Sequence, residues 1–452
     1  MIVVKFGGTS VGDAEAIART AAIVQGRLER RPVVVVSALA GTTNQLIEIA
    51  THAANGQLIV ALSIVEELRV RHFAVIDALL SGDAHAEIAG ESGAIFDELA
   101  HLAEALSVLG HGTPRSRDAV AAMGERLSAP IVAAALVRAG LPAVFVDARR
   151  VLVTSDEFER ATPRPDEIAL ACRAQLAPLL REGKVPVLGG FIGGTGTGIT
   201  TTLGRGGSDY SASLFGSAME AEAIEIWTDV DGMLTADPRV VPDARLIEHI
   251  RFDEASELAS FGAKVLHPST IAPAVKRGIP VFIFNSRRPD GHGTRITFDA
   301  PRLPVRAIAG KDRTVVVRIR SPRMLATPGA LRAIFGVFEV NRTSVNVVAT
   351  SEVSVSVTVD DDQHLDAVVA QLSAYGDVSV ERGRGIIALV GAGLGESTET
   401  MARALTALGD LRLHMLSLSA TGINLTVIMD GDHVHEAMRR LHRAFFSTPE
   451  AA

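Results

Sequence analysis

The residues with the clearest chemical potential lie at the start of the sequence, where Lys5 to Ser10 read KFGGTS. A strand-like run delivers a lysine, two glycines and two hydroxyls towards a predicted helix. Glycines lack a Cβ, so backbone N–H groups can approach a phosphate closely, and a helix N-terminus adds positive potential. Lys5 supplies a point charge for phosphoryl oxygens. The segment favours a phosphate site without Walker-loop spacing; a plain turn with a solvated lysine is the alternative.

A second segment, Gly189 to Asp209, carries nine glycines and leads into a predicted helix. Flexible linkers seldom carry an arginine and an aspartate at a helix start, so a binding loop is favoured. Arg205 offers a bidentate grip for a carboxylate. Asp209 would hold a lysine or ligate Mg²⁺. Ser208 and the loop N–H groups would hold a substrate or a transferring phosphate.

A third segment favours a nucleotide site, and a fourth adds another lysine. Trp227 to Arg239 (WTDVDGMLTADPR) leave a predicted strand through Asp-Gly and Asp-Pro turn signals. In this reading Arg239 lies near phosphates, with Thr228 and Asp229 near base or ribose; an ordinary acidic turn is the alternative. Phe261 to Pro268 (FGAKVLHP) add a lysine beside a glycine, a feature that alone is more typical of a solvated charge.

Short apolar runs alternating with helical patterns must position these segments. Strand, long helix, strand predicts an α/β fold with a parallel sheet, whose ligands bind beyond the carboxyl ends of the strands. Residues 44–109 carry few strand signals and predict an inserted helical subdomain. The predicted strands are Ile2–Phe6, Val33–Ser37, Ala143–Val146, Val185–Phe191, Ala223–Thr228 and Val281–Phe284. The predicted helices are Ala14–Glu29, Arg117–Ala139, Asp166–Arg181 and Asp209–Met219.

After about residue 301 the pattern becomes β, α, β, β, α, β and then begins again, a ferredoxin-like order occurring twice. The second copy ends after its helix and lacks a final strand. We hypothesise that Val305–Ala309 supply that strand. The predicted strands and helices are Val315–Arg320, Gly329–Val340, Val345–Ala349, Val353–Val359, Leu365–Ser373, Val378–Glu381, Ile386–Val390, Ser397–Leu408, Arg412–Leu418, Ile423–Met429 and Asp432–Phe445.

Composition excludes several classes of protein. The 452 residues suggest about three domains, and 47% hydrophobic with 21% charged residues excludes disorder as a description of the whole. A net charge of −8 and 4% aromatics argue against a nucleic-acid binder. The single cysteine, Cys172, excludes an internal disulfide. We expect a cytoplasmic protein with no signal peptide and no membrane span.

Together, the motifs resemble the aspartate kinases of the amino-acid kinase superfamily over essentially the whole chain. The motifs are KFGGTS, VSALAGTTN, GERLSA, TLGRGGSDYSA, TDVDGMLTADPR and FGAKVLHP, followed by paired ACT-type regulatory modules. The resemblance implies an amino-acid kinase fold, with a mainly parallel sheet between helix layers, over residues 1–300. Two ferredoxin-like ACT modules would follow at 301–384 and 385–452, with 305–309 joining the second.

The resemblance implies transfer of the γ-phosphate of ATP to the side-chain carboxylate of L-aspartate, the first step of lysine, threonine and methionine biosynthesis. Mg²⁺ is expected as MgATP, without a dedicated protein metal site. Lys5 would bridge the phosphoryl oxygens and Asp209 would orient it. The implied aspartate-binding residues are Ser37, Thr43, Glu125, Arg205 and Ser208. The implied ATP-binding residues are Lys5, Gly7, Gly8, Thr228, Asp229, Arg239, Lys264 and Val265.

The resemblance also implies feedback by lysine or threonine at a dimer interface of the first ACT module, in a homodimer or a tetramer. The implied effector-binding residues are Met324, Leu331, Ser344, Val345, Asn346, Thr350, Ser351 and Glu352. Asn346 stands where relatives usually have Asp, which weakens pairing with an effector's ammonium group. Leu234 stands where many relatives have Tyr in the nucleotide loop.

We expect a monofunctional enzyme, because the chain has no room for the homoserine dehydrogenase fused to some relatives. One alternative is another amino-acid kinase, acting on glutamate, acetylglutamate or UMP. A second is a catalytically inactive amino-acid sensor that works through its ACT region. Lys5, Arg205 and Asp209, all present, argue against the sensor.

Overall fold

A computed structural model describes residues 1–261, 268–321, 327–360 and 363–447. Its strands are β1 Ile2–Phe6, β2 Pro32–Val36, β3 Ala143–Phe145, β4 Val153–Thr154, β5 Val185–Gly189, β6 Ile192–Thr195, β7 Thr200–Thr202, β8 Ala223–Thr228, β9 His249–Arg251, β10 Val281–Asn285, β11 Thr294–Thr297, β12 Ala307–Arg320, β13 Val348–Ser351, β14 Ser354–Val359, β15 Asp377–Val390, β16 Leu413–Leu418 and β17 Asn424–Asp430. Its helices are α1 Ala14–Gln25, α2 Thr42–Ala54, α3 Leu58–Leu79, α4 Gly82–Leu109, α5 Pro114–Ala121, α6 Met123–Arg138, α7 Pro165–Arg181, α8 Gly207–Ala218, α9 Phe252–Ser260, α10 Ala272–Arg277, α11 Ala330–Val340, α12 Leu365–Leu372, α13 Thr398–Leu408 and α14 Val434–Phe446.

The chain forms two compact units, one of residues 1–233 with 265–298 and one of residues 234–264 with 299–452. In the first unit the main sheet follows the order β3-β5-β2-β1-β8-β10-β11. All neighbours are parallel except β11, which runs antiparallel to β10. The predicted parallel α/β sheet is confirmed.

The register of this sheet brings the predicted binding segments together. Phe6 pairs with both Val36 and Trp227, and Val36 pairs with Gly189. Strands β1, β2 and β5 are buried along their whole length, which explains their unbroken apolar runs. Because the strands are parallel and end level, the segments after β1, β2, β5 and β8 all leave from one edge of the sheet.

The predicted helical insertion is present as α2, α3 and α4, which pack around a core that includes Leu46, Leu68 and Phe96. The helix predicted at Arg117–Ala139 is divided into α5 and α6. The stretch 114–138 has the length and apolar character of a membrane span, yet 78% of its most apolar window is buried inside the protein. That degree of burial is typical of a core helix.

A small second sheet in the first unit was not predicted. Its strand order is β4-β6-β7, with β6 and β7 forming an antiparallel hairpin inside the glycine-rich segment. Glycines and threonines dominate this hairpin, so it lacks the apolar alternation by which strands are recognised. After the hairpin, residues 203–206 lead the chain into α8.

The second unit contains a six-stranded sheet of order β13-β14-β12-β15-β17-β16. The 14-residue strands β12 and β15 pair with each other antiparallel along both modules. In the hypothesised joining segment, Ala307, Ile308 and Ala309 pair with Val390, Leu389 and Ala388 of the second module. This is the pairing that the hypothesis requires. The predicted strands Val378–Glu381 and Ile386–Val390 are one continuous strand, in which Gly383 has a φ of 72°.

Residues 234–264 belong to the second unit, although the sequence places them within the catalytic segment. Ala236 and Val241 join the same apolar core as Leu441. Thr235 Oγ1 lies 3.0 Å from Nε2 of the buried His442. The second unit therefore contains a piece of chain that precedes the region predicted to form the ACT modules.

Candidate active site

A cavity of about 770 Å³ opens in the first unit beside the carboxyl ends of β1 and β2. The segments after β1, β2 and β5, together with α2, α5 and the start of α6, supply its walls. Most of the residues predicted to bind aspartate or the transferring phosphate border this cavity. They are Lys5, Gly8, Ser37, Thr43, Glu125, Arg205, Ser208 and Asp209.

Lys5 and Asp209 form an ion pair at this cavity. Nζ of Lys5 lies 2.5 Å from Oδ1 of Asp209, and the two side chains are only 9% and 15% exposed. Strand β1 runs between β2 and β8, which fixes the backbone of Lys5 from both sides. Asp209 stands in the first turn of α8. The structure places in contact the two residues that the resemblance assigned to one role.

The two glycines after Lys5 differ in their surroundings. The Gly7 N–H donates a hydrogen bond of 2.9 Å to the Trp227 carbonyl. Gly8 borders the cavity, and a Cβ built on it would lie 3.0 Å from the carbonyl oxygen of Ala38. Gly7 therefore continues the sheet in this structure, while Gly8 allows the chain to pass close to the segment after β2.

Glu125 is a buried carboxylate with one oxygen left over. Its side chain lies in the first turn of α6 and the residue is 2% exposed. Oε1 accepts a 3.0 Å hydrogen bond from the Ala38 N–H, while Oε2 is buried and accepts none from the described residues. Burial raises the pKa of Glu125 to about 8, against the opposing effects of the Ala38 N–H and the Lys5 charge. A cationic group entering the cavity would satisfy Oε2.

Arg205 lies on an exposed part of the loop between β7 and α8. Its neighbours Gly204 and Gly206 have φ values of 77° and 72°, the left-handed region that favours glycine. Close packing fixes the next turn as well, because a Cβ on Gly190 would lie 2.8 Å from Cα of Ser208. The glycines of this segment therefore serve loop geometry more than flexibility.

Sequence reasoning missed four residues that also border the cavity. Asp118 is 1% exposed and accepts hydrogen bonds from Thr202 and from the Glu159 N–H. Arg117 forms a 3.3 Å ion pair with Glu159. Arg117 and Asp118 lie on the helix α5, Thr202 ends the short strand β7 and Glu159 lies in a loop. Nothing in the sequence marked any of them as binding residues.

The loop predicted to hold the nucleotide begins at the end of β8, next to β1. Thr228 Oγ1 lies 3.3 Å from Oδ1 of Asp229. Asp231 anchors the loop, since it accepts a 2.8 Å hydrogen bond from Asn285 and forms a 2.5 Å ion pair with Arg288. Thr228 and Asp229 do not border the 770 Å³ cavity.

Arg239 lies in the second unit, where its guanidinium forms an ion pair with the carboxylate of Asp237. Nε and Nη2 of Arg239 lie 3.0 and 2.5 Å from the two carboxylate oxygens. This pairing lowers the pKa of Asp237. Nη1 of Arg239 takes no part in this pairing, and the side chain is 80% exposed. Lys264 and Val265 lie outside the described residues.

The predicted effector residues that the structure describes lie on α11, on the edge strand β13 and in the segments beside that strand. Thr350 and Ser351 are exposed on the edge strand β13, and Glu352 follows them. Leu331 on α11 is 40% exposed. Met324 lies outside the described residues. The remaining three, in the segment between α11 and β13, are Ser344, Val345 and Asn346.

Comparison with known proteins gives this site its context. Residues 1–285 match the amino acid kinase family and residues 387–445 match the ACT domain. Fold and site together define an amino acid kinase with an ACT region.

Lysine-sensitive aspartokinase 3 of Escherichia coli is 36% identical over 99% of both chains. Aspartokinase of Chlamydia trachomatis is 33% identical over 98% of both. The crystal structure of E. coli aspartokinase III with aspartate and ADP covers 99% of this chain and 100% of that chain, at 35% identity and a TM-score of 0.87. The complex of the same enzyme with lysine and aspartate has a TM-score of 0.82. The chain belongs to the aspartokinase family.

Proposed function

We propose that this enzyme transfers the γ-phosphate of ATP to the side-chain carboxylate of L-aspartate, giving 4-phospho-L-aspartate, and that the residues lining the cavity carry out the transfer. One observation carries the residue assignment: a single cavity collects the buried Lys5–Asp209 pair, the unpartnered oxygen of Glu125 and the guanidinium of Arg205. A cation, an anion and a second cation match three of the charged groups of the reacting pair, which are the phosphoryl group, the ammonium group and the α-carboxylate of aspartate.

Phosphoryl transfer to a carboxylate depends on aligning the two reacting groups more than on moving a proton. The side-chain carboxylate of free aspartate titrates near pH 4, so it is already anionic at neutral pH and needs no general base. The enzyme must bring two anions together and neutralise the charge on the transferring group. Lys5 would bridge the phosphoryl oxygens of donor and acceptor. Asp209 would hold the Lys5 ammonium group in place.

Aspartate itself would be held at both ends. Arg205 would pair with the α-carboxylate. Oε2 of Glu125 would accept from the ammonium group, while its Oε1 stays bonded to the Ala38 N–H. Three hydroxyls on the walls would complete the site, those of Ser37, Thr43 and Ser208.

Mg²⁺ would enter as part of the MgATP substrate, held mainly through phosphate oxygens. Over the described ranges, no group of three or more His, Cys, Asp or Glu side chains has the arrangement of a metal site. We assign the nucleotide to the edge of the sheet beside β8. Its contacts would come from Gly7, Gly8, Thr228, Asp229, Arg239, Lys264 and Val265.

Regulation would operate through the second unit. We propose that residues 301–384 and 385–452 act as two ACT modules, and that lysine or threonine binds the first across a homodimer interface. The exposed edge strand β13 and its neighbouring loop support this assignment, and E. coli aspartokinase III has been crystallised with lysine. Tetramer formation and a cytoplasmic location stay predictions.

A coupled ADP-release assay tests the function. We expect turnover with aspartate and MgATP, little with glutamate, and a slow background with water alone. A preference for glutamate would favour another amino-acid kinase. An absence of turnover with every acceptor would favour an inactive sensor, for which amino-acid binding would be measured by calorimetry. Indifference of the active enzyme to both lysine and threonine would refute the feedback role.

A further inference from the structure

Asp118 is a buried carboxylate to which the proposed roles give no task. It lies on α5, is 1% exposed and borders the same cavity as Arg205. Its two oxygens accept hydrogen bonds from the Glu159 N–H at 3.1 and 3.0 Å. They also accept from the Thr202 N–H at 2.9 Å and from the Thr202 hydroxyl at 2.6 Å. One side chain therefore joins three segments that are far apart in the sequence.

The partners of Asp118 flank the loop that carries Arg205. Thr202 ends β7, three positions before Arg205. Glu159 has a φ of 67°, which is uncommon for a residue with a side chain. Its carbonyl oxygen lies 2.9 Å from where a Cβ on Gly204 would be. The loop therefore begins at a threonine that Asp118 holds and packs against a turn that Asp118 also holds.

The arrangement is demanding to build. A carboxylate removed from water is costly unless hydrogen bonds satisfy it, and losing one partner of such a group is more damaging than losing an exposed contact. Burial raises the pKa of Asp118, while the Thr202 and Glu159 donors act against this rise. The Thr202 carbonyl also accepts from the Ala161 N–H at 2.9 Å, so β7 is bonded to this turn on its other side too.

We propose that Asp118 is a positioning residue for the reaction: through Thr202 and Glu159 it sets the loop geometry in which Arg205 meets the α-carboxylate of aspartate. This inference rests on the proposed role of Arg205. Asp118 itself touches neither substrate nor phosphate in this scheme. Its removal loosens the grip on aspartate and leaves the Lys5–Asp209 pair and the nucleotide in place.

The test compares Asp118→Asn with Asp156→Asn, which removes an exposed acid from the turn that contains Glu159. For Asp118→Asn we expect KM for aspartate to rise about tenfold or more, with kcat and KM for ATP within about threefold. Asp156→Asn leaves all three unchanged. An equal rise in both KM values, or none in KM for aspartate, would overturn the inference.

A double-mutant cycle separates positioning from general destabilisation. Because Asp118 acts through Arg205, adding Asp118→Asn to Arg205→Ala changes KM for aspartate by less than about twofold. Multiplication of the two single effects would contradict the inference.

Should Asp118→Asn fail to fold, Thr202 carries the same test. Thr202→Val removes the hydroxyl donor and raises KM for aspartate, whereas Thr202→Ser keeps the donor and restores the parent value. A parent enzyme without aspartate-dependent ADP release would overturn this inference together with the proposed function. A normal parent with unaffected variants would overturn this inference alone.

Discussion

The ammonium group of Lys5 and the carboxylate of Asp209 lie 2.5 Å apart, although 204 positions of sequence separate them. Strand β1 supplies one residue and the first turn of α8 the other. Such a pair, mostly shielded from water, holds the lysine side chain in a defined orientation. A flexible surface lysine has no such fixed orientation, so the pair argues against the alternative of a plain turn with a solvated lysine.

The first prediction concerns Lys5. Lys5→Ala should lower kcat by well over tenfold while the protein stays folded, because the transferring phosphoryl group loses the positive charge of Lys5 that would neutralise it. Each tenfold corresponds to about 1.4 kcal/mol of transition-state stabilisation. Steady-state ADP release measures it, and Lys184→Ala at an exposed position is the control. Retention of more than about a tenth of the parent rate would contradict the electrostatic role.

The second prediction concerns stability at Glu125. Its pKa in the folded protein is about 8, above its ordinary 4.5. The folded state therefore binds this proton more tightly than the unfolded state. That contribution is complete below pH 4.5 and is lost as the pH rises through 8. Glu125→Gln should melt at a higher temperature than the parent at pH 8, and the difference in melting temperature should be smaller at pH 5. A difference that is the same at both pH values would exclude ionisation of Glu125 as its cause.

The third prediction follows from the same carboxylate during binding. The ammonium group of an incoming aspartate pairs with the ionised form of Glu125. In the free enzyme the Glu125 carboxyl is protonated below about pH 8. KM for aspartate should therefore fall as the pH rises from 6 towards 8, by up to about tenfold per pH unit. Glu125→Gln should have a high KM without this slope. An unchanged slope in the variant would assign the proton to another group.

The fourth prediction concerns acid stability of the helical insertion. Burial lowers the pKa of His72 from 6.5 to about 4, and the hydrogen bond between its Nδ1 and the Leu68 carbonyl offsets this only in part. Unfolded chains take up this proton below pH 6.5, so stability is lost as the pH falls towards 4, by about 3 kcal/mol. The melting temperature of His72→Leu should therefore differ less between pH 7 and pH 5 than that of the parent does. The control is His101→Leu, an exposed position on α4, which should melt as the parent does.

The fifth prediction concerns a close approach in the glycine-rich segment. Gly190→Ala would place a methyl group 2.8 Å from Cα of Ser208, so the loop must move and aspartate-dependent activity should fall. Gly196→Ala, where the added methyl group meets nothing within 4 Å, should behave as the parent. Equal activity of the two variants would show that the Ser208 backbone can shift without cost.

Sequence alone predicted the main sheet well, because its strands are apolar β-branched runs between turns. The bounds of β1 and β8 agree with the prediction residue for residue. The β6–β7 hairpin escaped, since glycine and threonine carry little periodic signal. The continuity of β12 also escaped, because the charged residues Lys311 to Arg313 interrupt its apolar pattern.

The site divides in the same way. Lys5, Arg205 and Asp209 stand in short motifs whose residue types and spacing predict a site for phosphate and carboxylate groups. Asp118 became visible only when the fold brought residues 159 and 202 to it. A hydrogen bond between distant segments produces no recognisable sequence motif, so residues such as Asp118 are identified only from the folded structure.

The shared strands of the second unit have a consequence for how the regulatory region can be dissected. Ala307 to Lys311 of β12 pair with Ile386 to Val390 of β15, so the ladder of one module is continuous with that of the other. Truncation after residue 384 would remove the part of β15 that pairs with the first five residues of β12. The backbone N–H and C=O groups of those five residues would then form an unpaired sheet edge. The two modules should therefore melt as one cooperative body. Isolated halves would be expected to aggregate, and chimeras should exchange both modules together.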